Sequence, residues 1–319
     1  MKLNKFTAFI LACILVAGSC KDHPSIGEPP LSEKGFYPVQ FCVQMEKEIN
    51  SFPATRSIPD NPIAEPDASD TDTGDPELKD LCSRIDYAVF TQEENPVLVK
   101  HLQFIAGTDG PDADFGIVYD SLPKGNYQFY FIAHHSETAI LSGTNLSFDN
   151  VTDTFYKTLS IDIGTAEEIN RDITLERIVS RIEFVATDPV TNRIKECRME
   201  IEGAARQLQL TDGTGIPSPE SDSSTHTFTA EESGRQDITY AFYTFIPPSG
   251  QTLSVRLTTT GQYDEVIRER SVTGIVPERN KIIRYKGHFY SIPESDDTFQ
   301  VSINNNGRWD EPVETELPD

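Results

Sequence analysis

The sequence predicts an all-β fold, and three observations predict it. Short runs of β-favouring residues recur at spacings of about 8 to 15 residues along most of the chain. The segments between them carry turn chemistry, with Gly for positive φ and Asp or Asn to bond the backbone locally. No stretch after residue 20 sustains an apolar stripe at helical spacing for more than about two turns.

Taken in order, the first strand is FYPVQFCVQM at 36–45, whose alternation sets Phe41 and Val43 on one face. The stretch 51–80 is rich in proline and acids and reads as a long loop. RIDYAVFT, VLVKHLQFI, FGIVYDSL, GNYQFYFIAHH, TFYKTLSIDI and RDITLERI follow, separated by EENP, GTDGPDAD, PKGN and SGTN. The run ITLERIVSRIEFVATD at 173–188 holds β alternation for longer than one ordinary strand of five or six residues. It reads as the last strand of one domain passing directly into the first strand of another. CRMEIEGA, RQLQLTD, a polar Pro/Ser stretch from Ile216 to Thr225, THTFTAE, DITYAFYTFIPP, QTLSVRLTTT, EVIRERSVT, NKIIRYKGHFY and FQVSINN complete the chain. Two antiparallel β-sandwiches are expected, at 36–177 and 178–319, because a chain this long exceeds the size at which one core keeps growing.

The N-terminus has export chemistry. Lys2 and Lys5 precede an apolar run from Phe6 to Ala17, shorter than the about 20 residues that a bilayer span needs and followed by charged Lys21 and Asp22. Residues 1–19 are therefore expected to be a signal peptide. Ala17-Gly18-Ser19-Cys20 resembles a bacterial lipobox, which makes Cys20 the lipidated first mature residue, with 20–35 as a Pro-containing flexible tether. Loss of 1–19 removes two of the 27 basic residues and none of the 51 acids, taking the formal net charge from −24 to −26. A surface this acidic repels nucleic acid and anionic lipid headgroups.

Candidate chemistry is sparse. Besides Cys20 the mature chain holds Cys42, Cys82 and Cys197. One disulfide, Cys42 with Cys82, is one reading, and three small buried side chains is the other. His134-His135 end a strand, where neighbours face opposite sides, so they do not converge on one metal; a solvated strand end is expected. Asp67, Asp70, Asp72 and Asp75 fail the EF-hand register, and Asp109, Asp112 and Asp114 have the same standing. No GxSxG, Walker, GxGxxG or HExxH pattern occurs, so no catalytic residue, cofactor or metal is expected. Tyr127, Phe129, Tyr130 and Phe131 read as core rather than a sugar platform.

Three features together resemble the lipoprotein anchor or accessory subunits of fimbrillin-type (type V) pili. They are the lipobox with its tether, the run LERIVSRIEF in which Arg177 and Arg181 flank an apolar pair, and VPERNKIIRYKGHFY followed by FQVSINNNGRW, with Asn280, Gly287 and Trp309 in the closing strands. The resemblance implies two transthyretin-like β-sandwiches, attachment to the outer membrane through the lipid, surface exposure, and assembly with other fimbrial subunits by strand exchange in support of adhesion. Ala54-Thr55-Arg56 resembles the arginine site at which polymerising subunits are trimmed. The alternative is a surface glycan-binding lipoprotein of a polysaccharide-uptake system, which would show two or three exposed aromatics on one flat face.

Overall fold

The computed structural model describes residues 35–46, 78–108, 115–164, 168–293 and 297–305. The first nine strands are β1 (Phe36–Met45), β2 (Arg84–Thr91), β3 (Leu98–Ile105), β4 (Ile117–Pro123), β5 (Gly125–His134), β6 (Ala139–Ser142), β7 (Asn145–Phe148), β8 (Phe155–Ile163) and β9 (Ile169–Arg177). Ten more follow: β10 (Val179–Ala186), β11 (Ile194–Glu202), β12 (Ala205–Gln209), β13 (Thr214–Pro217), β14 (Asp222–Thr227), β15 (Ile238–Phe245), β16 (Leu253–Gly261), β17 (Val266–Ile275), β18 (Lys281–Gly287) and β19 (Gln300–Asn305). One α-helical turn, Leu78–Leu81, and a short 3-10 turn, Ala230–Glu232, are the helical elements among the described residues. The chain is all-β, as the alternation of its apolar residues predicts.

Seven strands run in the order β3-β2-β5-β8-β9-β1-β4. β8 and β9 pair at only two positions, Phe155 with Arg177 and Tyr156 with Glu176, so the sheet folds over there and its two halves face each other. Between them lies a core to which β1 contributes Val39, Phe41 and Val43 and to which β2 and β5 contribute Tyr87, Phe129 and Phe131. Phe41 lies 5.2 Å from the Phe129 ring and 5.0 Å from the Phe131 ring, which is direct contact across the sandwich. The alternation that brings Phe41 inward is the period-2 pattern of FYPVQFCVQM.

The second sandwich faces β19-β18-β10-β15-β12 with a four-stranded sheet, β14-β11-β16-β17. Its core joins Ile182 and Phe184 of β10 to Cys197, Met199 and Ile201 of β11 and Val255 and Leu257 of β16. The two halves share one frame. β1 pairs antiparallel with β4 and parallel with β9; β10 pairs antiparallel with β15 and parallel with β18.

The hairpin β6–β7 departs from the sequence reading. Residues 139–148 precede Arg177, yet β7 pairs with β12, extending the sheet built from residue 179 onward. Its turn at SGTN uses Gly143 at φ +58. The polar Pro/Ser stretch from Ile216 to Thr225 contains sheet: β13 ends at Pro217, and β14 pairs with β11 from Asp222 to Thr227. A third core seals the two halves. Ala88, Phe90, Tyr130 and Ile132 on the outer face of the first sheet meet Leu146 and Phe148 of the hairpin and Ala205, Leu208 and Phe245 of the second sandwich.

Candidate functional site

β1 is the first strand among the described residues and an inner strand of its sheet. It sits between two strands, bonded from Phe36 to Cys42 along β4 and from Val39 to Met45 along β9. The Val43 N–H donates to the carbonyl of Gly116 at 2.8 Å. Gly116 has φ +101, and a Cβ there would stand 3.0 Å from the Val43 carbonyl oxygen and collide with Leu78, so the close crossing needs glycine. Removing β1 would leave β4 and β9 each with an unpaired row of N–H and C=O groups, above a trench lined by Tyr87, Phe129 and Phe131.

Several edges are open. β3, β4 and β19 each pair on one side only among the described residues. Val97, Leu98, Val99 and Leu102 are exposed at or beside β3, and Ile303 is exposed on β19. The two ends of the first sheet meet across the sandwich, where Lys100 of β3 ion-pairs with Asp120 of β4 and Tyr87 donates to the same carboxylate at 3.0 Å. Burial, then the Asp120 charge, pushes the Tyr87 phenol well above its ordinary range, so it stays a donor.

The junction of the halves is polar as well as apolar. Arg177, the last residue of β9, is bidentate to Asp153 and also donates to Asn280 Oδ1 at 3.1 Å. On β10, Glu183 is fully buried between Arg181 at 2.8 Å and Arg284 at 2.6 Å, and Arg181 reaches the Tyr243 hydroxyl at 2.8 Å. The two arginines singled out in LERIVSRIEF thus each hold a buried acid.

Other sequence-derived candidates come out differently. Cys42 lies on β1 and Cys82 follows the helical turn, but no disulfide joins them: the Cys82 thiol is free and donates to the Leu78 carbonyl at 3.3 Å. The expected solvated strand end at His134 is also wrong. His134 is fully buried and its Nε2 donates to Asp86 at 2.7 Å, while His101 Nε2 donates to the other Asp86 oxygen at 2.7 Å. Burial would raise Asp86, but the bonds from His101 and His134 outweigh it and hold the carboxyl at about 2. Sequence reasoning missed Asp86, although an acid inside the otherwise apolar run RIDYAVFT is the signal that could have found it. Tyr127, Phe129, Tyr130 and Phe131 are all buried, so they form no glycan platform. Cys20, Arg56, Asp67, Asp70, Asp72, Asp75, Asp109, Asp112, Asp114 and Trp309 lie outside the described residues.

Residues 67–316 match the family model described as fimbrillin-A associated anchor proteins Mfa1 and Mfa2. The chain belongs to this family. Membership places it at the cell envelope among fimbrial proteins and gives it other fimbrial subunits as partners. No curated protein matches it in sequence. Among solved structures it is similar to the fimbrial anchor protein Mfa2 of Porphyromonas gingivalis, at 12% identity and a TM-score of 0.48 over 88% of this chain and 100% of that one. It is similar to the tip fimbrial protein Mfa3 of the same organism at 11% identity and a TM-score of 0.42, over 84% and 99% of the two chains. It is also similar to a candidate polysaccharide-binding protein of Bacteroides thetaiotaomicron at 11% identity and a TM-score of 0.46, over 88% and 98%. At these scores the structural likenesses carry no weight on function. No helix among the described residues is long and apolar enough to cross a membrane.

Proposed function

We propose that this anchor-family chain is an outer-membrane lipoprotein, fixed by acyl chains on Cys20, that ends a fimbrial polymer by strand exchange and so holds the pilus to the cell in support of adhesion. Its role is structural rather than catalytic. The observation that carries the reading is the placement of β1, paired on both sides and filling the first sandwich with Val39, Phe41 and Val43. A subunit that keeps this strand has its own groove filled, so it offers a neighbour only its remaining edges, and polymer growth stops there. Retention of β1 also keeps the described fold joined to the lipid end of the chain. Cleavage at Arg56 would sever that link, so in this reading Arg56 is left uncut.

The test is a Cys20→Ala substitution in cells that carry the fimbriae, with radiolabelled palmitate followed on this chain and fimbriae assayed on cells and in the medium. The reading predicts loss of label and release of intact fimbriae to the medium. Fimbriae that stay on the cells with an unlabelled chain would contradict it.

A further inference from the structure

A strand that pairs on one side only is open to any extended segment, and natural edges are blunted by short length, bulges, proline or charged side chains. Among the described residues the strand orders end on β3, β4, β6, β14, β17 and β19. Five of these carry such a device. The register of β3 slips at Val99 and Lys100 turns a charge toward Asp120, itself the charge of β4. β6 has only four residues, β14 opens on Asp222 and holds no apolar side chain, and β17 slips twice against β16 and carries Arg268, Glu269 and Arg270. β19 has none of them: QVSINN runs along β18 for six unbroken pairs with no charge and no proline, and Ile303 is exposed.

The inward face of β19 continues the core of the second sandwich. Val301 packs against that core and lies opposite Tyr285, while Ile303, two residues on and on the same face, lies opposite Ile283 and is bare. Arg268 and Arg270 of β17 share one carboxylate, Asp297, and the Arg270 guanidinium stands 4.0 Å over the ring of Phe299, the residue before β19. This margin therefore suits a strand that brings an apolar side chain to Ile303 and an acid toward the arginines.

Residues 306–319, NGRWDEPVETELPD, follow β19 directly and lie outside the described residues. Their sequence opens on a turn signal. Asn305-Asn306-Gly307 suits a three-residue hairpin loop with Gly at its left-handed position. A strand returning from that loop sets Trp309 opposite Ile303, Glu311 opposite Val301 and Val313 beside Phe299, so the bare side chain gains a ring and Glu311 turns toward the arginine pair. A two-residue loop at Asn306-Gly307 would instead turn Asp310 and Pro312 inward, against the core. The returning strand also brings to the rim what β19 lacks, namely Pro312 with Asp310 and Glu314. A second copy of β19 would supply no such device and would bring together two chains of net charge −24. We propose that residues 308–313 pair with β19 of their own chain as a guard strand, closing the one unblunted edge among the described residues and leaving strands of other subunits to dock elsewhere. The guard does not depend on whether the chain ends a pilus.

Trp309 is the only tryptophan of the chain, so its fluorescence reports the guard directly. In the full chain acrylamide should quench it about threefold less efficiently than in urea, at every protein concentration. Gly307→Val denies the loop its left-handed residue beyond the end of β19, and it should remove that protection while leaving the far-UV circular dichroism of the sandwiches unchanged. Ser302→Cys/Asp310→Cys should form a disulfide within one chain on oxidation, mapped by peptide mass, because opposite residues of a strand pair come within reach of each other. Ser302→Cys/Glu311→Cys, out of register, should not. Quenching in the full chain equal to that in urea, protection that appears only as concentration rises and so belongs to a second copy, protection kept in Gly307→Val, or cross-linking indifferent to register would overturn the guard strand.

Discussion

Arg177 grips Asp153 at two points, Nε to Oδ1 and Nη2 to Oδ2, both at 2.6 Å, with the guanidinium buried and lying over the Phe155 ring. Fork geometry of this kind fixes direction as well as charge. The third contact, to Asn280, reaches the turn before β18 in the other half, and the Asn280 N–H donates to Val179 at the start of β10. One side chain therefore ties the end of the first sheet to the parallel strand pair that begins the second.

Removing one partner of this pair leaves the other charged and buried. Arg177→Met should destabilise the chain by about 3 to 5 kcal/mol, and Asp153→Asn by a similar amount. Because the pair sits at the joint, the loss should appear as one shifted unfolding transition for both halves. Urea midpoints followed by tryptophan-independent probes, such as far-UV circular dichroism and exchange in β5 and β16, check this. Two separate transitions in the parent chain would speak against a shared core.

Phe41 is the main side chain by which β1 fills the first sandwich. Phe41→Ala should cost about 3 to 5 kcal/mol from lost transfer and the cavity left behind. The β1 amides should lose more protection than those of β16, which shares no core with them. Equal losses in both sheets would show that β1 is not an independently weakened strand.

Acid should act through Asp86 in a defined window. Its carboxyl is held at about 2 against an ordinary 3.8, so it contributes stability that is fully present above about pH 4 and is lost as pH falls from about 4 to 2. The contribution is about 2 kcal/mol. Asp86→Asn should flatten the stability profile within that window, measured as denaturant midpoints from about pH 5 down to 2. His135 acts at higher pH with the same sign: its depressed value makes the unfolded chain the better proton binder below about 6.5, so stability falls as pH drops through that region.

Cys82 and Cys197 are buried thiols whose burial raises them well above the ordinary range, Cys197 to about 11. Both should resist a thiol reagent in the native chain and react on unfolding, without prior reductant. A reductant-dependent gain of two thiols would reveal a disulfide.

The strands were legible because their signal is local. RIDYAVFT and GNYQFYFIAHH announce β2 and β5 almost to the residue, since period-2 alternation and flanking turns need no knowledge of the rest of the chain. What was not legible depended on partners far along the sequence. β6 and β7 are four residues each, and β7 is stabilised by β12, some sixty residues on, through pairs such as Leu146 with Leu208. β14 is an edge strand whose side chains are all partly or fully exposed, so its sequence carries no apolar alternation. The burial of His134 is not legible locally, because the acid that accepts its hydrogen bond, Asp86, lies 48 positions away. Burial of such a pair follows from the register of β2 against β5, which pairing alone fixes.

A chain that holds fimbriae at the cell surface should still carry them when it is extracted from the envelope. The most direct measurement is purification of the native protein from envelope fractions in mild detergent, followed by mass spectrometry of what stays bound. A fimbrial polymer joined to a chain that still carries β1 and an acylated Cys20 is the predicted result. A chain bound only to a porin-like transporter with affinity for oligosaccharides, and no fimbrial subunit, would contradict it.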